Sequence, residues 1–238
     1  ITGGVLDAEK VGEPGVLRMP PELVKAACDR AHELGFKVAA HVESPEGVKV
    51  ALENGVDSIE HGAKPTDEII ELFKEHNAFQ VSTISPALPF AMFDRSVSHA
   101  TYEQQENGKI VFDGIISLAK ECLKNDIPVG LGTDTACPYV TQYDMWRELC
   151  YYVKYCGVSE SFAIYSATLL NAALAGIDKE TGSIEKGKKA EMIVTGGNPL
   201  ENLRTLRNID MVIMRDKVIS SPKVKKISEA EAELDKWL

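Results

Sequence analysis

The sequence predicts an α/β fold built on a parallel sheet, followed by a small β-rich segment. Three observations predict it. Short apolar runs alternate with amphipathic helical patterns from residue 20 to about residue 135. The stretches between successive apolar runs are long enough to hold a helix, as parallel neighbours require. Beyond about residue 180 the pattern becomes short apolar stretches punctuated by Gly, Asn, Pro and Asp turns.

The elements follow in order. Residues 20–34 place Pro near a helix start and Leu23, Ala26, Ala27, Ala31 and Leu34 at helical spacing, with Gly35 as the stop. "FKVAAH" is a strand candidate, "SPEGVKVALENG" a helix closed by Gly55, and "VDSIEHG" a second strand. "TDEIIELFKEHN" has Thr66 as N-cap, acidic residues in its first turn and Ile69, Ile70 and Phe73 on one face. "AFQVSTIS" is a third strand. A proline-bearing polar stretch, residues 84–110, is expected to be a loop before the helix "GKIVFDGIISLAKECLKND" and the strand "IPVGLGTDT". Two helices, "QYDMWRELCYYVKYCG" and "SESFAIYSATLLNAALAG", come next, the second capped by Ser159 or Ser161 and ended by Gly176. Short strands lie within 182–203 and 209–221, and "KKISEAEAELDKWL" is a charged amphipathic helix or a frayed tail.

Bulk properties narrow the partners. Of 238 residues, 26 are Lys or Arg and 36 are Asp or Glu, a formal charge of -10. That balance lacks the basic footprint of a nucleic-acid or anionic-membrane binder and suits a soluble protein. We read no signal peptide in these residues and no apolar run long enough to cross a bilayer. Five scattered cysteines (Cys28, Cys122, Cys137, Cys150, Cys156), with no CxxC, fit reduced thiols and a cytoplasmic location. The chain opens "ITGGVLDAEK", without Met and at an apolar-to-glycine transition. We expect it to be part of a longer or processed polypeptide.

The candidate chemistry sits at strand ends. In parallel βα sheets and barrels, ligands bind where the strands end at their carboxyl termini. His41 ends one predicted strand, His61 the next, and Asp134 a later one. Imidazole and carboxylate together form a ligand set for zinc or a similar divalent ion. The 20-residue separation of the histidines matches one βα repeat. Singly, each residue has an ordinary structural reading, since a histidine is commonly a packed residue and an Asp in "GTDT" an N-cap. His32, mid-helix, is expected to pack or be solvated; His76 suits a helix C-terminus, and His99 falls in the long loop.

Taken together, "AHVESPEGVKVALENGVDSIEHG", "GLGTDT" and "GSIEKGKKAEMIV" resemble the metal-dependent amidohydrolase superfamily, nearest its imidazolonepropionase-like and Xaa-Pro dipeptidase-like branch. The resemblance covers nearly the whole chain. It implies a (β/α)₈ TIM barrel flanked by a β-sandwich, of which this chain would hold the C-terminal half: barrel strands 5–8 in residues 1–178, a sandwich segment in 179–222 and a charged helix or tail in 223–238. By the same resemblance His41, His61 and Asp134 are metal ligands, Asp134 also being the catalytic base. The implied activity is hydrolysis of an amide, peptide or cyclic amide by a metal-activated hydroxide, with zinc as the first choice among divalent metals. The sequence departs from the family in having no His-x-His pair, and the family's strand-four lysine would precede Ile1. Glu191 replaces an Asp of the "GKxAD" pattern, which we read as structural.

These departures keep other readings open: a catalytically incomplete fragment or binding module of the same scaffold, or a barrel lyase or isomerase with strand-end histidines as acid and base. A half-barrel would expose open strand edges, so an absent N-terminal portion or a homo-oligomer is the expected partner. The substrate would be a small molecule or dipeptide-like. Residues 84–110 and Tyr139, Tyr143 and Trp146 would shape its pocket, although packing between helices is the favoured reading for Trp146.

Overall fold

The βα alternation forms a four-stranded parallel sheet in the computed structural model, which describes residues 1–7 and 10–238. The chain gathers into two units, Ile1–Gly130 and Leu131–Leu238.

In the first unit, α1 (Pro21–Glu33) starts at a proline, where no intrahelical N–H is needed. Its buried stripe is narrow, Val24 and Cys28, whereas Leu23 and Leu34 are exposed. That differs from the wider apolar face read from the sequence. Gly35 then takes a left-handed φ and Phe36 N–H returns to the Ala31 carbonyl, closing the helix. This closure uses Phe36, so the first strand, β1, is only Ala39–Val42. Helix α2 (Pro45–Glu53) is capped by Ser44, whose Oγ accepts from Gly47 N–H, and buries Val48, Ala51 and Leu52. Strand β2 (Ser58–His61) follows. Helix α3 (Asp67–His76) has Thr66 as N-cap and buries Ile69, Ile70 and Phe73, all as expected. Strand β3 is Phe79–Ser82.

The stretch 84–110 is not a loop. It holds α4 (Ile84–Met92), α5 (Arg95–Ser98) and the start of α6 (Tyr102–Lys124). Pro86 falls in the first turn of α4, where its missing N–H costs nothing, and residues 84–91 are all buried against α6. Helix α6 begins six residues earlier than its apolar pattern suggested. Thr101 and Gln104 form a reciprocal capping box there, a T-x-x-Q signal legible in the sequence. Strand β4 (Val129–Leu131) completes the sheet order β1-β2-β3-β4.

In the second unit, α7 (Met145–Tyr151) runs on through a π-type turn to Cys156 and stops at left-handed Gly157. Ser159 is the cap of α8 (Glu160–Tyr165), followed by a second π-type turn and α9 (Asn171–Leu174). The Asn171 amide brackets Leu131, accepting from its N–H (3.0 Å) and donating to its carbonyl (2.8 Å) in place of a strand neighbour. Strands β5 (Glu191–Thr195), β6 (Ile209–Met214) and β7 (Lys217–Ser220) form a separate antiparallel sheet. Glu191 pairs with Arg215 at 3.2 Å, the structural role expected of it.

The C-terminal stretch is helical, α10 (Ser228–Leu234). Arg147, fully buried, meets Asp144 (3.1 Å), Glu231 (3.1 Å) and Asp235 (2.6 Å), and Arg207 binds the same two C-terminal carboxylates. Both guanidinium groups also approach the Trp146 ring, at 4.4 and 5.4 Å. Trp146 is therefore a packing residue within this unit. Among the described residues no helix is long and apolar enough to cross a membrane.

Candidate metal centre

Strand register alone does not bring the two histidines together. In the parallel β1–β2 pair, His41 stands opposite Glu60, while His61 stands opposite Val42. Paired residues share a face, so regular extension would send His61 to the side of Val42, which is wholly buried. Instead His61 has φ 69°, a left-handed value uncommon for a residue with a Cβ. Its ring meets that of His41 edge-on, with centroids 4.7 Å apart and planes at 77°.

Two neighbours hold this turn. The Gln80 amide nitrogen donates to the His61 carbonyl at 3.0 Å and to the Ile115 carbonyl at 3.3 Å. Its own oxygen is buried without a hydrogen-bond partner, an arrangement that costs on the order of 1–3 kcal/mol. Gly62 follows with φ 99°, and a Cβ there would lie 2.3 Å from Leu118 Cδ2. Only glycine meets both demands.

A third donor joins them. Glu43, His41 and His61 each place one ligand atom within 4.8 Å of the others. Glu43 is two residues beyond His41, so strand alternation carries both side chains to the same side. Glu43 is not among the ligands expected from the sequence, although the period-2 spacing of "HVE" points to it. Val5 N–H donates to Glu43 Oε2 at 2.9 Å, and Glu43 N–H donates to Thr2 Oγ1 at 3.1 Å. The chain near Gly15 presses on the Glu43 backbone, where a Cβ would meet the Glu43 carbonyl carbon at 2.4 Å. His41 Nε2 faces the Gly3 carbonyl at 3.4 Å. A carbonyl only accepts, so in this contact Nε2 is the donor.

Two imidazoles and a carboxylate are the donor chemistry of zinc and related divalent ions. Bonds of about 2.1 Å allow donors at most about 4.2 Å apart, so small side-chain rotations close a set of this spread. The residues therefore fit a divalent cation.

Asp134 belongs to the second unit, exposed in the turn after β4. Its φ is 52°, and Ala136 and Tyr139 nearby are also left-handed, at 92° and 65°. Such clustering of strained residues is a recurring property of functional loops. Cys137 donates to it twice, from N–H to the Asp134 carbonyl (3.2 Å) and from Sγ to Oδ2 (3.4 Å). The remaining histidines have local roles. His32 bonds Asp57 at 2.8 Å, His76 ends α3, and His99 is the left-handed cap of α5. Tyr143 accepts from Ile227 N–H at 2.9 Å, a tertiary contact within the second unit.

Comparison with known proteins agrees with this architecture. The amidohydrolase family model matches residues 1–219. The crystal structure of a candidate prolidase from Bifidobacterium longum superposes with a TM-score of 0.92 at 38% identity, over 99% of this chain and 58% of that one. A Xaa-Pro dipeptidase solved with methionine in its active site gives 0.78 at 31% identity, over 86% of this chain and 50% of that one. Among curated proteins, ochratoxinase of Aspergillus niger is 27% identical over 208 residues, 87% of this chain and 42% of the relative. The chain thus spans about half the length of the proteins it resembles. The chain belongs to the amidohydrolase family.

Proposed function

We propose that this chain carries part of the active site of a divalent-metal hydrolase that cleaves C–N bonds in small amide or dipeptide-like substrates. The observation that carries the reading is the convergence of His41, Glu43 and His61. In support stand the family match and the prolidase and dipeptidase likenesses. Zinc is the first choice of ion, because histidine and carboxylate donors suit it. When bound, such an ion polarises a substrate carbonyl and lowers the pKa of a water to about 7.

The chain's own residues supply the rest. His41 and His61 would hold the ion through ring nitrogens, and Glu43, anchored by Val5 N–H, would offer a carboxylate oxygen. By the family resemblance, Asp134 would be a metal ligand and the general base of the complete enzyme. In this reading β1–β4 are strands 5–8 of a (β/α)₈ barrel within residues 1–178, residues 179–222 contribute to a β-sandwich, and 223–238 form its terminal helix. The complete active site then draws on an N-terminal portion or a second copy of the chain, in the cytoplasm.

Metal analysis of the purified protein tests the reading. One or two equivalents of a transition metal, lost on His41→Ala, are expected. Metal-free protein with chelator-insensitive hydrolysis would overturn it in favour of strand-end acid–base chemistry.

A further inference from the structure

His61 has two ring nitrogens, and only one can face an ion held with His41 and Glu43. Its Nδ1 lies 2.6 Å from Thr83 Oγ1, and the two residues are 6% and 3% exposed. Thr83 stands at the position preceding α4, where a threonine hydroxyl ordinarily accepts from an N–H of the first helical turn. Thr66 and Thr101 do so for α3 and α6, but Thr83 makes no such bond. Its hydroxyl is given to His61 instead. The His61 backbone is held separately, by the Gln80 amide and by the left-handed φ.

We propose that Thr83 is a positioning residue: its Oγ1 accepts the Nδ1 proton of His61 and so presents the Nε2 lone pair to the metal. This deepens the metal reading above and rests on it. The physical basis is general. A ligating imidazole needs one nitrogen deprotonated, and the hydrogen bond at the other nitrogen fixes which one and holds the ring plane. His41 is oriented in the complementary sense, with its Nε2 toward the Gly3 carbonyl.

The experiment uses Zn²⁺ and needs no turnover. Zinc affinity is measured by competition with a chromophoric chelator for the unsubstituted protein, Thr83→Val and Thr83→Ser. Valine keeps the shape and removes the acceptor, so affinity should fall about 10- to 100-fold. Serine keeps the hydroxyl and should restore most of it. In parallel, ¹⁵N NMR of the zinc-loaded unsubstituted protein should show His61 with a protonated Nδ1 and a metal-bound Nε2. Equal affinity in Thr83→Val, no rescue by serine, or zinc on Nδ1 would each overturn the role of Thr83 while leaving the metal centre intact. Absence of zinc binding by the unsubstituted protein would instead overturn the metal centre, and this role with it. Should Thr83→Val fail to fold, the NMR assignment on the unsubstituted protein decides the question by itself.

Discussion

His41 and His61 lie on adjacent parallel strands one step out of register, yet their rings touch at 4.7 Å. The left-handed turn at His61 makes up the step by re-aiming a side chain that regular pleating would bury beside Val42. Residues that maintain this turn should therefore govern metal binding without touching the metal.

Gly62→Ala tests the backbone. The new Cβ would strain a φ of 99° and collide with Leu118. A loss of about 2–4 kcal/mol in urea unfolding is expected, the range of overpacking combined with a backbone violation. A change within about 0.5 kcal/mol, the usual span of surface substitutions, would show that the turn relaxes easily.

Glu43→Gln tests the third donor. Glutamine retains an oxygen for Val5 N–H but loses the charge, so the fold should survive with an unchanged melting temperature. Zinc affinity measured by calorimetry should drop at least about tenfold, as for loss of a charged ligand or its support. Unaltered affinity would confine Glu43 to its bond with Val5.

Asp134→Asn separates chemistry from architecture in the full-length enzyme. The amide keeps the size of the exposed side chain but neither takes a proton nor binds a cation well. Hydrolysis should be lost with thermal stability unchanged. Retained turnover would remove Asp134 from the role of base.

The C-terminal helix should loosen in acid. Burial opposes ionisation of Asp235, but hydrogen bonds from Arg147 and Arg207 outweigh it and hold the carboxyl below its usual range. A depressed folded pKa stabilises above the unfolded value of about 3.9 and is lost as pH falls through the folded one. The melting temperature should thus decline below about pH 4, and less so in Asp235→Asn. Arg147→Met, which takes the guanidinium from buried Asp144 and leaves Glu231 and Asp235 to Arg207 alone, should cost about 3–5 kcal/mol at neutral pH.

Cys122 gives the alkaline counterpart. Burial pushes its thiol up to about 12 from an ordinary 9.0. A raised folded pKa stabilises below the unfolded value, so this contribution should fade as pH climbs from about 9 toward 12. Cys122→Ala should remove that slope in a pH series of unfolding curves. Rapid alkylation of Cys122 in the folded protein at pH 8 would contradict its burial.

The sequence by itself determined the order of elements, the cap at Thr66, the choice between Ser159 and Ser161, the parallel character of the sheet and the strand-end placing of His41 and His61. These are local properties: periodicity, capping chemistry and connection length act within a few residues and can be read there. The helices in 84–110 were also written locally, in the capping box at Thr101 and Gln104, but first-turn Pro86 resembled a loop signal. What only the tertiary structure decided is how side chains meet across separate segments. Glu43 becomes a donor beside both histidines because residues 2–5 grip it, and His61 is held by Gln80 and Thr83 while Leu118 crowds the following Gly62. No window of sequence contains those neighbours together, since strand pairing and helix packing bring them within reach from as far as 57 residues away.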